Sequence, residues 1–192
     1  MTLKLFFDTE TTGLPDWKTP SGGDKQPHMV QLAALLVDVD TRQIIESMDV
    51  IIKPDGWVIP QDVIDIHGIT NERAIEVGIP EEEALNQFLA LWNFRSRVAH
   101  NTTFDNRIIR IATKRYSDES IITAWKEGEY ECTGLLSKPI MKMGKKGKYG
   151  YKMPKLIEAY EFFTGLKLDN AHNAMDDTRA CMSVYFGIQD QK

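Results

Sequence analysis

The sequence predicts an α/β domain in which a mixed sheet is covered by helices, and three observations carry that prediction. The apolar run Leu3-Lys4-Leu5-Phe6-Phe7 is followed by two more β-compatible segments, Met29 to Val39 and Ile44 to Ile52. From Pro80 onward, segments with helical spacing of apolar residues alternate with short strand-like runs. The 192 residues, 42% hydrophobic and 27% charged, suit one globular domain with a sizeable core, read as a single unit over 1–192.

The elements follow in order. The first strand ends in Thr11-Thr12-Gly13 and Pro15, and a polar loop runs from Asp16 to Pro27. The next two segments are joined by Asp38-Val39-Asp40-Thr41, which makes an antiparallel three-strand meander with the first. Lys53-Pro54-Asp55-Gly56 is a turn. Pro60 opens a short helix through Ile66, ended by His67-Gly68-Ile69-Thr70. Thr70 caps another, which stops by Gly78. Pro80 suits the first position of a longer helix whose dipole Glu81, Glu82 and Glu83 complement, with Leu85, Phe88, Leu89 and Trp92 as its buried stripe.

Val98-Ala99-His100 reads as a strand. A helix then runs from Thr102 or Thr103 to about Arg115, and a capped one from Ser117 to Trp125. A short strand is expected over Tyr130 to Thr133, then a short helix and a lysine-rich loop. Pro154 opens a helix with Leu156, Tyr160 and Phe163 inward, closed by Gly165, and a last helix spans about Asn173 to Ile188.

Composition narrows the function classes. No apolar run approaches the roughly 20 residues of a membrane span, and the N-terminus lacks a signal-peptide pattern. Cys132 and Cys181 form no Cys-x-x-Cys pair and suit buried positions in a reduced compartment, so a cytoplasmic location is expected. A net charge of -5 argues against a protein that coats nucleic acid. Between Lys138 and Lys155, however, stand seven lysines and no acid, with Tyr149 and Tyr151 interleaved. Such a segment either follows a phosphate backbone and offers stacking surfaces or is a solvated loop. Gly144-Lys145-Lys146-Gly147-Lys148 lacks the spacing and the Ser/Thr of a phosphate-binding P-loop.

The chemistry-bearing residues are acids in apolar company. Alternation puts Phe6, Asp8 and Glu10 on one face of the first strand and Leu5, Phe7 and Thr9 on the other. Two neighbouring carboxylates at the end of a buried strand either share a hard divalent cation with oxygen ligands or are hydrated in a turn. Asp105 stands three, four and seven residues before Ile108, Ile109 and Ala112, on their apolar stripe. Asp177 precedes Ala180, Cys181, Val184 and Ile188 in the same way, while Asp176 turns toward Ser183 and solvent. The alternative for each is an acid at a helix start, favourable to the dipole.

Three ordered motifs, Asp8-Thr9-Glu10-Thr11-Thr12-Gly13, His100-Asn101-Thr102-Thr103-Phe104-Asp105, and His172 followed five residues later by Asp177, resemble those of the DEDDh (DnaQ-like) 3′–5′ exonucleases. His67-Gly68-Ile69 is similar to a fourth feature of the group, and the resemblance runs from about Leu3 to Ile188. It implies a ribonuclease H-like sheet and hydrolysis of terminal phosphodiester bonds with release of nucleoside 5′-monophosphates. It also implies two divalent cations, Mg²⁺ or Mn²⁺, held by Asp8, Glu10 and Asp177, with Asp8 bridging and Asp105 acting partly through water. His172 would be the general base. Thr9, Thr11 and backbone near Gly13 would hold the terminal nucleotide, with Leu14 and Phe104 against bases or sugars and His67 on phosphate or sugar. Gln31 stands where many relatives carry Glu.

The chain ends soon after the last motif helix, so a stand-alone nuclease is expected, without a polymerase-binding tail. DNA is slightly preferred as substrate by analogy alone. The rivals are a 3′–5′ exoribonuclease trimming RNA ends and a non-catalytic nucleic-acid-binding protein on the same fold.

Overall fold

The computed structural model describes residues 1–145, 147–148, 150–169 and 171–191. The strands β1 (Leu3–Thr11), β2 (Met29–Asp38), β3 (Gln43–Ile51), β4 (Arg97–Ala99) and β5 (Tyr130–Cys132) form one sheet in the order β3-β2-β1-β4-β5. β1, β2 and β3 are an antiparallel meander, whereas β4 runs parallel to β1 and β5 parallel to β4. β1 is therefore the central strand, bonded to an antiparallel neighbour on one side and a parallel one on the other. In open α/β sheets, crevices form beyond the carboxyl ends of strands at such changes of direction.

The alternation within β1 sorts two cores. Leu5 and Phe7 pack with Leu85, Phe88, Trp92 and Trp125 from α3 (Glu81–Trp92) and α5 (Glu119–Glu127), and with Ile109 of α4 (Thr102–Tyr116). Phe6 faces the other way, with Leu35, Val37 and Val98, against Cys181 and Tyr185 of α8 (Ala174–Gln189). Every residue of β2 is buried, as a strand covered on both faces requires. Behind α8 lies α7 (Leu156–Thr164), so close that a Cβ on Gly187 would stand 2.6 Å from the Phe163 Cβ.

The crossover from β3 to β4 holds α1 (Gln61–His67) and α2 (Asn71–Val77) before α3. Gly68 ends α1 in the left-handed conformation, and the Thr70 hydroxyl caps α2 by accepting from the Arg73 amide. α6 (Thr133–Met141) follows β5 and ends soon after taking in Pro139. Among the described residues, no helix is long and apolar enough to cross a membrane.

Several boundaries differ from the sequence reading, each for a local reason. Pro80 is the cap of α3 rather than its first helical residue, and Asp118 rather than Ser117 caps α5, its carboxylate accepting from the Ser120 and Ile121 amides. On α3, Leu91 is buried where Leu89 was expected, and Leu89 is half-buried. Glu81 is itself buried and serves more than a dipole. It accepts from the Met29 amide at 2.9 Å and from Tyr116 Oη at 3.0 Å, and lies 2.7 Å from His28 Nδ1. On α7, Leu156, Tyr160 and Phe163 are half-buried and Ala159 is the buried residue. Of the lysine-rich segment, Lys146 and Tyr149 lie outside the described residues.

The core also holds a cation that hydropathy did not reveal. Arg97 is fully buried, its guanidinium 3.8 Å from the Trp125 ring, donating to Asn106 Oδ1 and the Trp125 carbonyl. Burial pushes its pKa down to about 10.

Candidate active site

The carboxyl end of β1, the N-termini of α4 and α8, and the start of α7 meet in a cleft of about 320 Å³. Asp8, Thr9, Glu10, Phe104, Asp105, His172 and Asp177 all line it. Each acid arrives there by a different local device. Asp8 and Glu10 project from the same face of β1, opposite Ala33 and Gln31 of β2. The register shifts between Glu10 and Thr11, where β1 leaves the ladder. Asp105 sits in the first turn of α4, which starts abruptly after β4 because Asn101 adopts the left-handed conformation. Asp177 sits in the first turn of α8, which Asn173 caps by accepting from the Met175 and Asp176 amides.

Asp105 is gripped from β1: Thr9 donates to its Oδ1 from the backbone amide at 3.1 Å and from the hydroxyl at 2.8 Å. Asp177 Oδ2 accepts from the His172 amide at 3.1 Å, while its Oδ1 is buried without a hydrogen-bond partner. His172 holds a positive φ of 73° and its side chain is exposed. One ligand atom each from Glu10, His172 and Asp177 lie within 4.8 Å of one another.

Burial, joined for Asp8, Glu10 and Asp105 by the charges of neighbouring site acids, raises the pKa values of all four. Burial, followed by the charges of Asp105, Asp177 and Glu10, lifts Asp8 well above the carboxylate range. Burial with Asp177 and Asp105 pushes Glu10 up to about 8. Burial lifts Asp105 to about 7 against the opposing hydrogen bonds from Thr9. Asp177 is raised by burial, partly offset by the His172 amide. These acids resist ionisation together unless positive charge joins them. The orphaned Asp177 Oδ1, the oxygen-rich donor set and the raised pKa values all fit hard divalent cations.

The other residues expected at the site divide. Phe104 lines the cleft, half-buried. Leu14 stands at 82% exposure on the connection after β1. Thr9, expected against the terminal nucleotide, has its amide and hydroxyl turned to Asp105. Thr11 donates its hydroxyl to the Gly13 carbonyl at 2.8 Å, shaping the turn instead of facing the cleft with a free donor. His67 is half-buried, and its Nδ1 accepts from the Ile69 amide at 3.1 Å. In the neutral ring the proton then sits on Nε2, which is buried and has no partner. Burial and then His172 lower the His67 pKa, which favours that neutral form.

Sequence reasoning missed four contributors. His100, Asn101 and Leu156 line the cleft, and His100 bridges Thr133 Oγ1 at 2.9 Å to the Pro154 carbonyl at 3.0 Å, tying the end of the lysine-rich segment to the sheet. Gln31 is buried, accepts from the Ala174 amide at 3.0 Å and donates to Asp49 Oδ1 at 2.8 Å. The position of Gln31 opposite Glu10 was the available signal, but its partners are remote in sequence.

Nearly the whole chain is similar to known proteins. The RNase_T family model, described as "Exonuclease", matches residues 5–185. The DNA polymerase III subunit epsilon of Treponema pallidum is 28% identical over 184 residues, covering 93% of this chain and 73% of that protein. The PolC-type DNA polymerase III of Thermotoga maritima is 30% identical over 182 residues, 94% of this chain but 11% of that one. A zinc-bound E. coli exonuclease I–single-stranded DNA complex superposes with a TM-score of 0.76 at 20% identity, covering all of this chain and 41% of that one. The last likeness shows a shared ribonuclease H-like fold. The chain thus spans less than half of exonuclease I and about a tenth of the PolC-type polymerase.

Proposed function

This chain belongs to the RNase_T (DnaQ-like) exonuclease family, and from that premise we propose that it removes nucleotides one at a time from 3′ ends, releasing nucleoside 5′-monophosphates, with DNA preferred to RNA. The observation that carries the reading is the convergence of Asp8, Glu10, Asp105, Asp177 and His172 on one cleft. The names of the relatives, DNA polymerase subunits and an exonuclease bound to single-stranded DNA, support the DNA preference.

In this reading Asp8, Glu10 and Asp177 hold the divalent cations, Mg²⁺ or Mn²⁺, with Asp105 assisting through water. When bound, such cations supply Lewis acidity, which makes water acidic and offsets charge on the phosphate and the departing oxygen. The protein's own groups do the rest. Thr9 fixes the Asp105 carboxylate, and the His172 amide fixes Asp177. An imidazole nitrogen of His172 takes the proton of the attacking water, and its exposure lets it return that proton to solvent. Water oxygen bonds to phosphorus, the bond to the 3′ oxygen breaks, and that oxygen takes a proton from solvent, so the shortened strand departs with a 3′-hydroxyl. His67 Nε2–H donates to a phosphate or sugar oxygen of the terminal nucleotide. Leu14 and Phe104 flank its base or sugar, near Gly13 and Thr11. The Lys138–Lys155 segment guides the strand, with Lys138, Lys142 and Tyr151 lining a groove beside α6.

The same reading takes 1–192 as one exonuclease unit and places it in the cytoplasm, in keeping with two buried free thiols. The test uses end-labelled single-stranded DNA, duplex DNA and single-stranded RNA, each with and without magnesium. Asp8→Ala should abolish mononucleotide release while leaving the circular dichroism spectrum folded. A variant that degrades all three strands like the parent overturns the assignment.

A further inference from the structure

Of the four tryptophans, Trp92 and Trp125 are buried and Trp57 is half-buried, but Trp17 is 55% exposed. Its mount is nevertheless well fixed. Gln26 is buried and its side-chain oxygen accepts from the Asp16 amide at 3.1 Å. Its amide nitrogen donates to the Asp16 and Pro20 carbonyls, both at 3.0 Å, and to Thr19 Oγ1 at 2.9 Å. Arg107 of α4 donates to the Thr19 carbonyl at 2.6 Å, and its guanidinium carbon lies 5.7 Å from the Trp17 ring. The backbone is thus held on both sides of an indole that faces water. The connection 12–28 that carries it has no regular secondary structure; connections longer than about 12–15 residues are usually either functional or disordered linkers, and the bonds of Gln26 and Arg107 show this one to be ordered.

The indole is tied to α4, the helix that carries Asp105, through Arg107. Arg107 follows Phe104 by one helical turn on the same side of α4, and Phe104 lines the acid cleft. Leu14, still more exposed, stands three residues before Trp17 on the same connection. Two exposed apolar side chains thus stand on the connection that follows β1, one of them beside the guanidinium of the α4 residue one turn after Phe104. Every base has a π-face, so a pre-fixed indole takes unpaired bases of any sequence at little ordering cost.

We propose that Trp17 is a stacking platform for an unpaired base of single-stranded nucleic acid, upstream of the 3′-terminal nucleotide. The inference rests on the exonuclease reading and narrows it, because a base inside a duplex has both faces covered by its neighbours. The discriminating experiment pairs binding with turnover. Tryptophan emission is titrated with an oligothymidylate 12-mer with Ca²⁺ replacing Mg²⁺, for the parent and for Trp17→Phe. Turnover with Mg²⁺ is followed on thymidylate chains of two to twelve residues for the parent, Trp17→Ala and Trp17→Phe.

The parent's emission should be quenched by the strand and that quenching lost in Trp17→Phe. Trp17→Ala should raise KM for the 12-mer about 5- to 100-fold, with the loss growing as the chain lengthens from two residues and largely rescued by Trp17→Phe. Unchanged emission and an unchanged KM, in a parent that degrades the same 12-mer, overturn the platform alone. A parent that releases no mononucleotide from any strand overturns the exonuclease reading and the platform with it.

Discussion

Thr9 and Asp105 are joined twice, through the Thr9 amide at 3.1 Å and its hydroxyl at 2.8 Å, both to the same carboxylate oxygen. The pair fastens the first turn of α4 to the central strand, and it leaves the second Asp105 oxygen for the cleft. Thr9→Val keeps the shape and the amide bond but removes the hydroxyl donor. We expect turnover or apparent magnesium affinity to drop about 10- to 100-fold, as for other groups that orient ligands. Thr9→Ser should stay near the parent. Magnesium titrations of the rate check both variants.

The crowded acids set how the metal-free protein responds to pH. Glu10 sits at about 8 and Asp105 at about 7, both raised from ordinary values near 4. A raised acid binds more protons folded than unfolded, so stability falls as pH rises through this range. Urea unfolding in EDTA should show declining stability from about pH 5 to pH 8, and saturating magnesium should reverse much of it. Asp8→Asn replaces a buried acid, whose ionised form burial and its neighbours disfavour, by a neutral amide of the same shape. In EDTA it should therefore raise Tm, and by more at pH 8 than at pH 5.

Glu81 titrates in the opposite sense. Burial pushes its pKa up, but hydrogen bonds from His28 and the Met29 amide, with Arg115 nearby, bring it below the ordinary value. Its contribution is therefore complete above about pH 4.5 and lost as pH falls through the lower folded value. Glu81→Gln should cost about 2–4 kcal/mol at pH 7 by leaving Arg115 and His28 poorly matched. The deficit should shrink in acid, which denaturant curves at pH 7 and pH 4 would show.

His172→Gln keeps a polar side chain at the mouth of the cleft but removes the imidazole that takes the proton of the attacking water. We expect kcat at saturating magnesium to fall about 100- to 10,000-fold with little change in oligonucleotide affinity. A variant that turns over like the parent would argue against His172 as base.

Neutralising Lys142, Lys145 and Lys155 to Gln should weaken binding of single-stranded oligonucleotide and flatten its salt dependence. The slope of log K against log salt should fall by roughly 0.7 for each phosphate that the variant no longer neutralises. Identical slopes in parent and variant would return the segment to the status of an ordinary loop.

Much of this was legible in the sequence because the signals were local. Period-two alternation in Leu3–Thr11 sorted Asp8 and Glu10 from Thr9, and period-3.6 spacing put Asp105 and Asp177 on buried stripes, where the structure places them. What escaped depends on partners distant in the chain. Gln31 reads as an ordinary strand residue until Asp49 and Ala174 close around it. Glu81 reads as a dipole-stabilising surface acid until His28 and Tyr116 arrive. Arg97 breaks every hydropathy rule for a core and is accommodated only because Asn106, Trp125 and its carbonyl surround it. The one-residue difference at Ser117 arose because Ser117 and Asp118 are both capping residue types, and the Asp118 carboxylate takes the first amides of α5.

The four acids are mounted in two unlike ways. Asp8 and Glu10 ride on a strand laced to neighbours on both sides, so their separation is as stiff as the ladder itself. Asp105 and Asp177 ride on the tips of α4 and α8, where, among the described residues, hydrogen bonds to the sheet are few; Thr9 holds Asp105, and Gln31 holds the Ala174 amide. Any sliding of α8 widens or narrows the gap between Asp177 and the strand pair while Asp8 and Glu10 keep their distance. Discrimination by ionic radius would accordingly be governed by how α8 docks, and substitutions on its buried face, remote from every carboxylate, would retune it.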